Sequence, residues 1–244
     1  MREVFLVSNK HKFHNWDKVF PLPYQNLHVY ETFGMHPKFL PERDLHLKLS
    51  HLESIFRNKF HPASGRHIVG VGETGLDETS KFSLDYQKSA FEKQVILAKD
   101  LNLPLVLHCR GHSLFSSMLD CIDSILSPSH AVQWHCIKSD SDLEVIDRFM
   151  SVFPNSVVSL NGAIIEILHT RILCQIIFKR KRTFILSMFD SNHAVSSKLK
   201  CLAGNKNFKF DILFVRLLLS FTKQRSLVYL PIRSRLVHKT RTHL

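Results

Sequence analysis

Three short apolar runs in the first two-thirds of the chain each carry, at or near their end, a side chain that can bind a metal ion. They cover residues 69–77 with Glu73 and Asp77, residues 103–110 with His108, and residues 132–136 with His135. Near-continuous apolar runs bounded by glycine or proline are typical of buried parallel strands. We expect Glu73 and Asp77 where the strand gives way to a loop. In a parallel barrel the C-terminal ends of all strands lie on one face, so these side chains are expected to converge.

Helical patterns alternate with the apolar runs over residues 1–165. The β-forming runs lie at residues 4–7, 28–34, 68–72, 103–109, 131–136 and 156–160. Apolar stripes at helical spacing fall at residues 84–98, 115–126 and 143–150, and Ser141 with Glu144 resembles a capping box for the last stripe. This alternation predicts an α/β fold with parallel strands, an incomplete TIM-type (β/α) barrel, because six strands do not close an eight-stranded barrel.

The positive charge of the chain is concentrated in its last third. Residues 1–165 contain 17 Lys and Arg against 18 Asp and Glu, whereas residues 166–244 contain 16 against 3. We therefore expect a partial barrel domain over residues 1–165 and a basic, non-native or poorly ordered tail over residues 166–244. Three origins are open for this tail: replacement of the closing strand by splicing or a misread gene, a diverged closing segment, or a basic arm for nucleic acid.

Cysteine usage and hydropathy indicate a chain that works inside the cell. The five cysteines include no C-x-x-C pair, which favours reduced thiols and no disulfide-linked partner. The first residues carry no secretory signal pattern, and no apolar run approaches the roughly 18 residues that span a bilayer. We expect an intracellular location, nucleus or cytoplasm, and no membrane association.

Glu73, His108 and His135 together suggest a metal centre. A carboxylate can bridge two cations, and imidazole suits zinc, iron or manganese. Two such cations about 3.5–4 Å apart would activate water and stabilise the leaving oxygen of a phosphodiester. Asp77 is available to orient an imidazole, and Arg110 could pair with a phosphate.

Four segments of the chain are similar to signatures of the TatD-related metal-dependent deoxyribonucleases. The similarity covers about residues 1–165, and its most specific element is Gly-Glu-x-Gly-Leu-Asp. The segments are residues 29–37, 69–77, 105–110 and 135–137, and the connecting sequence over residues 86–104 is similar as well. The resemblance implies a TIM-type barrel, two divalent metal ions (Mg, Mn or Zn) and hydrolysis of DNA phosphodiester bonds, often from the 3′ end.

The resemblance also implies roles for individual residues. Glu73 would be the bridging ligand and, with Asp77, a catalytic residue. His108 and His135 would each bind metal, and His36 would lie near the substrate.

The chain departs from the family pattern at both ends. A His-x-His pair is missing before Val4, and we expect His11 and His14 on a helix rather than on a strand. The closing Glu-Thr-Asp-x-Pro element is also missing, and only Asp190 stands at a suitable distance to replace its acid. These departures leave open whether the chain is an active nuclease. The alternatives are a metal-dependent amidohydrolase acting on a small molecule and a catalytically dead protein that binds nucleic acid.

Overall fold

Among the residues that the structure describes, seven parallel strands form one sheet in which spatial order follows chain order. The structure is a computed structural model that describes residues 4–18, 27–58, 67–138, 140–161 and 184–187. Each strand pairs in parallel with the next one along the chain. The strands are β1 (Val4–Lys10), β2 (Leu27–Phe33), β3 (Ile68–Asp77), β4 (Leu105–Arg110), β5 (Val132–Ile137), β6 (Val157–Asn161) and β7 (Phe184–Ser187).

Within the described ranges, four α-helices connect consecutive strands. They are α1 (Leu45–Asn58), α2 (Leu84–Asp100), α3 (Leu114–Ile125) and α4 (Leu143–Val152), and short 3-10 helices cover Phe13–Asn15 and Pro37–Phe39. The three predicted helices correspond to α2, α3 and α4. The capping box at Ser141 is wrong: Asp142 is the N-cap residue, and its carboxylate accepts from the backbone N–H groups of Glu144 and Val145. The Ser141 hydroxyl instead accepts from the Lys138 N–H at 2.9 Å.

Strand β3 is longer than the sequence pattern indicated, and it carries both of its acidic side chains. All ten of its residues are buried, and the ladder with β4 continues to Asp77. The expectation that Glu73 and Asp77 follow the strand in a loop is therefore wrong. Gly72 and Thr74 pair with consecutive residues of β4, so Glu73 is the extra residue of a bulge. Bulges re-aim side chains and are common beside functional sites.

A single hydrophobic core lies between the sheet and the helices. Trp134 of β5 stacks on Phe115 of α3, with ring centroids 5.3 Å apart, and meets Phe149 of α4 edge to face. Both phenylalanines and the indole are buried. Because neighbouring residues of a strand point to opposite faces, His135 is directed to the face of the sheet that lies away from α3 and α4.

The predicted fold class is confirmed: the chain is an α/β protein with a parallel sheet, and this sheet is not closed over the described residues. Strand β7 lies inside the segment that composition assigned to the basic tail. The rest of that tail, including Asp190 and the basic run 179–182, lies outside the described residues, so the division at residue 165 stays a prediction. No described helix is long and apolar enough to cross a membrane.

Candidate metal centre

Glu73, His108 and Asp77 form a continuous line of hydrogen bonds where β3 and β4 end. Glu73 Oε1 lies 2.9 Å from His108 Nδ1, and Asp77 Oδ2 lies 3.1 Å from His108 Nε2. Both carboxylates are buried, Asp77 fully. The pairing of Gly75 with His108 sets this register. A Cβ on Gly75 would collide with the His108 carbonyl oxygen, and its φ of +148° favours glycine.

The imidazole of His108 holds both carboxylates in their ionised form. Burial opposes ionisation of Glu73, but the hydrogen bond from His108 and the nearby imidazole of His135 lower its pKa to about 2. Burial likewise opposes ionisation of Asp77, while His108 and Thr79 bring its pKa below the ordinary value. Burial lowers the pKa of His108, yet its two carboxylate partners outweigh burial and raise it. The site thus concentrates the negative charge of two carboxylates around one imidazole. A cation could take the place of that imidazole as the partner of a carboxylate.

Asp77 has its oxygens fully engaged by neighbouring donors. Oδ1 accepts from the Thr79 N–H at 2.8 Å and the Thr79 hydroxyl at 2.6 Å, while Oδ2 faces His108 and, at 3.5 Å, Lys38 Nζ. A carboxylate so occupied has little left to offer a cation. Its geometry suits holding the His108 ring in one orientation.

His36 lies against the same cluster as a neutral, hydrogen-bond-donating side chain. Its ring centroid is 4.1 Å from that of His108, and its Nε2 is 4.0 Å from Glu73 Oε1. Burial, and then the neighbouring His108, lower its pKa to about 3. The Lys38 N–H donates to His36 Nδ1 at 3.1 Å, so in the neutral ring the proton sits on Nε2. The spacing would allow His36 to bind a cation, but this tautomer makes it a donor directed towards Glu73.

His11 joins the site although the sequence pattern did not place it there. The expectation of a helix is wrong for His11, because β1 extends to Lys10 and His11 follows it directly. His11 Nδ1 lies 4.0 Å from Glu73 Oε2. The pair Asn9-x-His11 has the two-residue spacing that was sought as His-x-His, with asparagine at its first position. That spacing was the signal that could have identified it. His14 falls in the 3-10 helix and is exposed.

His135 and Arg110 line a cleft of about 150 Å³ next to the cluster. His135 Nδ1 is 3.2 Å from the Ser159 hydroxyl on β6, and burial lowers the pKa of its ring. Lys138, which the sequence reasoning missed, also lines this cleft together with Glu73 and His108. The cleft is therefore lined by two carboxylates, Glu73 and Asp140, by two imidazoles and by the two cationic side chains Arg110 and Lys138.

Two glutamines of α2 fix the backbone on which these side chains stand. Gln94 bridges Met35, the residue before His36: Oε1 accepts from Met35 N at 2.7 Å, and Nε2 donates to Met35 O at 3.3 Å. Gln87 makes the same pair of hydrogen bonds with Asp77: Oε1 accepts from Asp77 N at 2.8 Å, and Nε2 donates to Asp77 O at 3.2 Å. Both amides are buried and lie two helical turns apart. Helix α2 thereby holds two segments of the site at a fixed separation.

The residues present fit a divalent cation. Ligand atoms of His36, Glu73 and His108 lie within 4.8 Å of one another. Two ligand atoms at about 2.0–2.1 Å from one ion and at right angles to each other are about 3 Å apart, close to the Glu73–His108 separation of 2.9 Å. In addition, His11 Nδ1 is buried with no hydrogen-bond partner among the described residues. Each oxygen of Glu73 thus faces a different imidazole, as a bridging carboxylate would require.

The sequence profile of the family described as TatD related DNase matches residues 2–177. The chain belongs to this family. The match runs from β1 through β6 and includes every site residue described above. The TatD resemblance read from the motifs is confirmed.

Curated relatives share part of this chain. It is 29% identical over 138 residues to the human 3′-5′ RNA nuclease TATDN2, which covers 56% of this chain and 17% of that protein. It is 32% identical over 117 residues to the 3′-5′ ssDNA/RNA exonuclease TatD of Yersinia pseudotuberculosis serotype O:3 (strain YPIII), 47% of this chain and 41% of that protein. The chain thus spans less than half the length of these two relatives.

Two solved structures share the fold. YjjV, a TatD homolog from Escherichia coli K12, superposes with a TM-score of 0.56 at 22% identity, over 90% of this chain and 84% of that one. A TatD family hydrolase from Entamoeba histolytica gives 0.51 at 15% identity, over 69% and 70%. At these identities the likeness establishes the architecture alone.

Proposed function

We propose that this chain is a metal-dependent hydrolase of phosphodiester bonds in nucleic acid, acting as a 3′ exonuclease or deoxyribonuclease. The observation that carries the proposal is Glu73, a buried carboxylate whose two oxygens face His108 and His11 at 2.9 and 4.0 Å. Family membership supports it, as do the two curated relatives, which are named as a 3′-5′ RNA nuclease and a 3′-5′ ssDNA/RNA exonuclease. Single-stranded DNA is the substrate we propose to test first, with RNA beside it.

In this proposal the Glu73 carboxylate and the imidazole nitrogens of His108, His135 and His11 would hold the cations. Two divalent cations held there would polarise a phosphodiester and a water molecule. Zinc, manganese and magnesium are the candidate ions. Asp77 is assigned to orienting His108, because both of its oxygens are already engaged. Asp190, the candidate for the missing acid of the family, lies outside the described residues and keeps that role only as a prediction.

The remaining side chains act on the substrate. His36 would donate its Nε2 proton to a phosphoryl oxygen, since Nδ1 already accepts from the Lys38 backbone. Arg110, on the cleft lining, would pair with a phosphate in a charge-assisted contact. Lys138 adds a second positive charge there. An intracellular location remains a prediction from cysteine usage.

The decisive test compares Glu73→Gln with Glu78→Gln, an identical change at an exposed position five residues further on. Metal content is measured by mass spectrometry after dialysis against Mn²⁺ or Zn²⁺. Cleavage is followed on single-stranded oligonucleotides labelled at either end. We expect Glu73→Gln to lose bound metal and cleavage, while Glu78→Gln keeps both.

Three outcomes would contradict the proposal. Equal metal content in wild type and Glu73→Gln would show that Glu73 does not bind metal. A metal-loaded wild type that hydrolyses amides or lactones but no phosphodiester would favour the amidohydrolase alternative. Salt-sensitive oligonucleotide binding without metal-dependent cleavage would favour a catalytically dead nucleic-acid-binding protein.

A further inference from the structure

Phe39 lies beside the metal-binding cluster, at the end of the short 3-10 helix that follows β2. Its ring centroid is 5.5 Å from that of His36 and 5.7 Å from that of His11. The ring is only half-buried, unlike the core phenylalanines Phe33 and Phe56, which are 0% exposed. A partly exposed aromatic side chain therefore adjoins two of the site imidazoles.

A cationic side chain lies over this ring. Lys12 Nζ is 4.2 Å from the Phe39 ring centroid, within the range of a cation–π contact. Lys12 directly follows His11, so its backbone is fixed by the same strand end that delivers the imidazole. Its ammonium contacts the ring face rather than a carboxylate of the described residues.

The segment that carries Phe39 is held rigidly. The Ser80 hydroxyl donates to the Pro37 carbonyl at 2.8 Å, and the Tyr86 hydroxyl donates to the Pro41 carbonyl at 2.7 Å. The short 3-10 helix Pro37–Phe39 begins at His36, whose side chain caps it. These contacts anchor the backbone on both sides of Phe39.

We propose that Phe39 and Lys12 form a nucleotide subsite in which a nucleobase stacks on the Phe39 ring and Lys12 pairs with a phosphate. This inference rests on the proposed function and specifies its substrate as a single strand with an unstacked base next to the cleaved phosphate. Sites for single-stranded nucleic acid combine aromatic platforms with cations in this manner, and the stack is tolerant of sequence. The base replaces the Lys12 ammonium on the ring, which frees that ammonium for the backbone.

The subsite is tested with two substrates of equal charge. One is a single-stranded oligothymidylate, and the other is an oligomer of the same length whose residues are all abasic. Phe39→Leu keeps apolar bulk but removes the aromatic face, Phe39→Trp restores such a face, and Lys12→Met removes the ammonium. All variants are compared at equal metal content and with matched circular dichroism spectra.

We expect Phe39→Leu to lower kcat/KM for oligothymidylate about 5- to 150-fold, the loss of one base stack. Most of this loss should fall on KM. The abasic oligomer should be cleaved equally by Phe39→Leu and wild type, and Phe39→Trp should recover thymidylate cleavage. Lys12→Met should weaken binding of both substrates. It should also reduce the slope of log K against log salt concentration by about 1, the value for one lost phosphate contact.

Equal losses on both substrates would overturn the subsite, because Phe39 would then only pack against the imidazoles. Wild-type binding, followed by fluorescence anisotropy, must also favour oligothymidylate over the abasic oligomer, and equal affinities would refute the stack whether or not cleavage occurs. Failure of the proposed function has a different signature: neither oligomer is cleaved by the metal-loaded wild type.

Discussion

Replacing Gln94 by methionine tests whether α2 holds the His36 segment in place. Methionine is close to glutamine in size and helix propensity, so the change removes hydrogen bonds without opening a large cavity. The variant leaves the Met35 N–H and carbonyl without the amide that they contact at 2.7 and 3.3 Å. A buried donor left unsatisfied costs about 1–3 kcal/mol and an ordinary lost hydrogen bond about 1 kcal/mol. We therefore expect Gln94→Met to lose about 2–4 kcal/mol of unfolding free energy.

Urea denaturation followed by tryptophan fluorescence measures this loss, since both tryptophans, Trp16 and Trp134, are fully buried. Lys93→Met is the matched control, because it makes the same residue at an exposed position of the same helix. We expect the control to stay within about 0.5 kcal/mol of wild type, the usual range for surface substitutions. A Gln94→Met variant as stable as this control would refute the role of the amide.

Three further predictions concern other buried features. Gly75→Ala should destabilise the protein by at least about 1–3 kcal/mol, because strain at positive φ is joined by collision of the new Cβ with the His108 carbonyl oxygen, and urea curves showing wild-type stability would contradict the close approach of β3 to β4. Lys10→Met should cost about 3–5 kcal/mol by leaving the buried Glu31 unpaired, whereas adding Glu31→Leu should recover most of it; a double variant no more stable than the single one would count against this ion pair. Burial of His36 lowers its pKa to about 3, so its contribution to stability is complete above pH 6.5 and is lost as pH falls towards 3. Between pH 6.5 and 4.5 the metal-free wild type should therefore lose about 2–3 kcal/mol more unfolding free energy than His36→Asn. Equal losses in the two proteins would show that His36 is not the source of the pH dependence.

The centre of the site could be predicted because its signals are local. Glu73 and His108 each follow an uninterrupted apolar run, and parallel strands bring such positions to one edge. Asp77 was expected as a site residue, and the structure gives it a second contact: one oxygen accepts from the Thr79 N–H while the other faces His108. Sequence spacing alone could not separate two oxygens of one side chain.

The apolar pattern by itself did not place His11 at a strand end, because the end of β1 depends on distant partners. The apolar pattern of β1 ends at Val7, and the next residues are polar. The strand continues to Lys10 because Lys10 pairs with Phe33 in the ladder, and its ammonium lies 3.5 Å from Glu31 in a buried ion pair. Helix α1 was not predicted, although its apolar residues do recur at helical spacing. They are Leu45, Leu49, Leu52 and Phe56.

Strand order has a consequence for the way the site is assembled during synthesis. The ligand candidates run from His11 to His135, one for each of β1, β3, β4 and β5, and the strands lie side by side in the order in which the ribosome makes them. These four ligand candidates are therefore all available only after β5 has been made. A bound ion would then stabilise contacts among strands that are already made, so removal of metal should leave the pairing of β1, β2 and β3 unaffected.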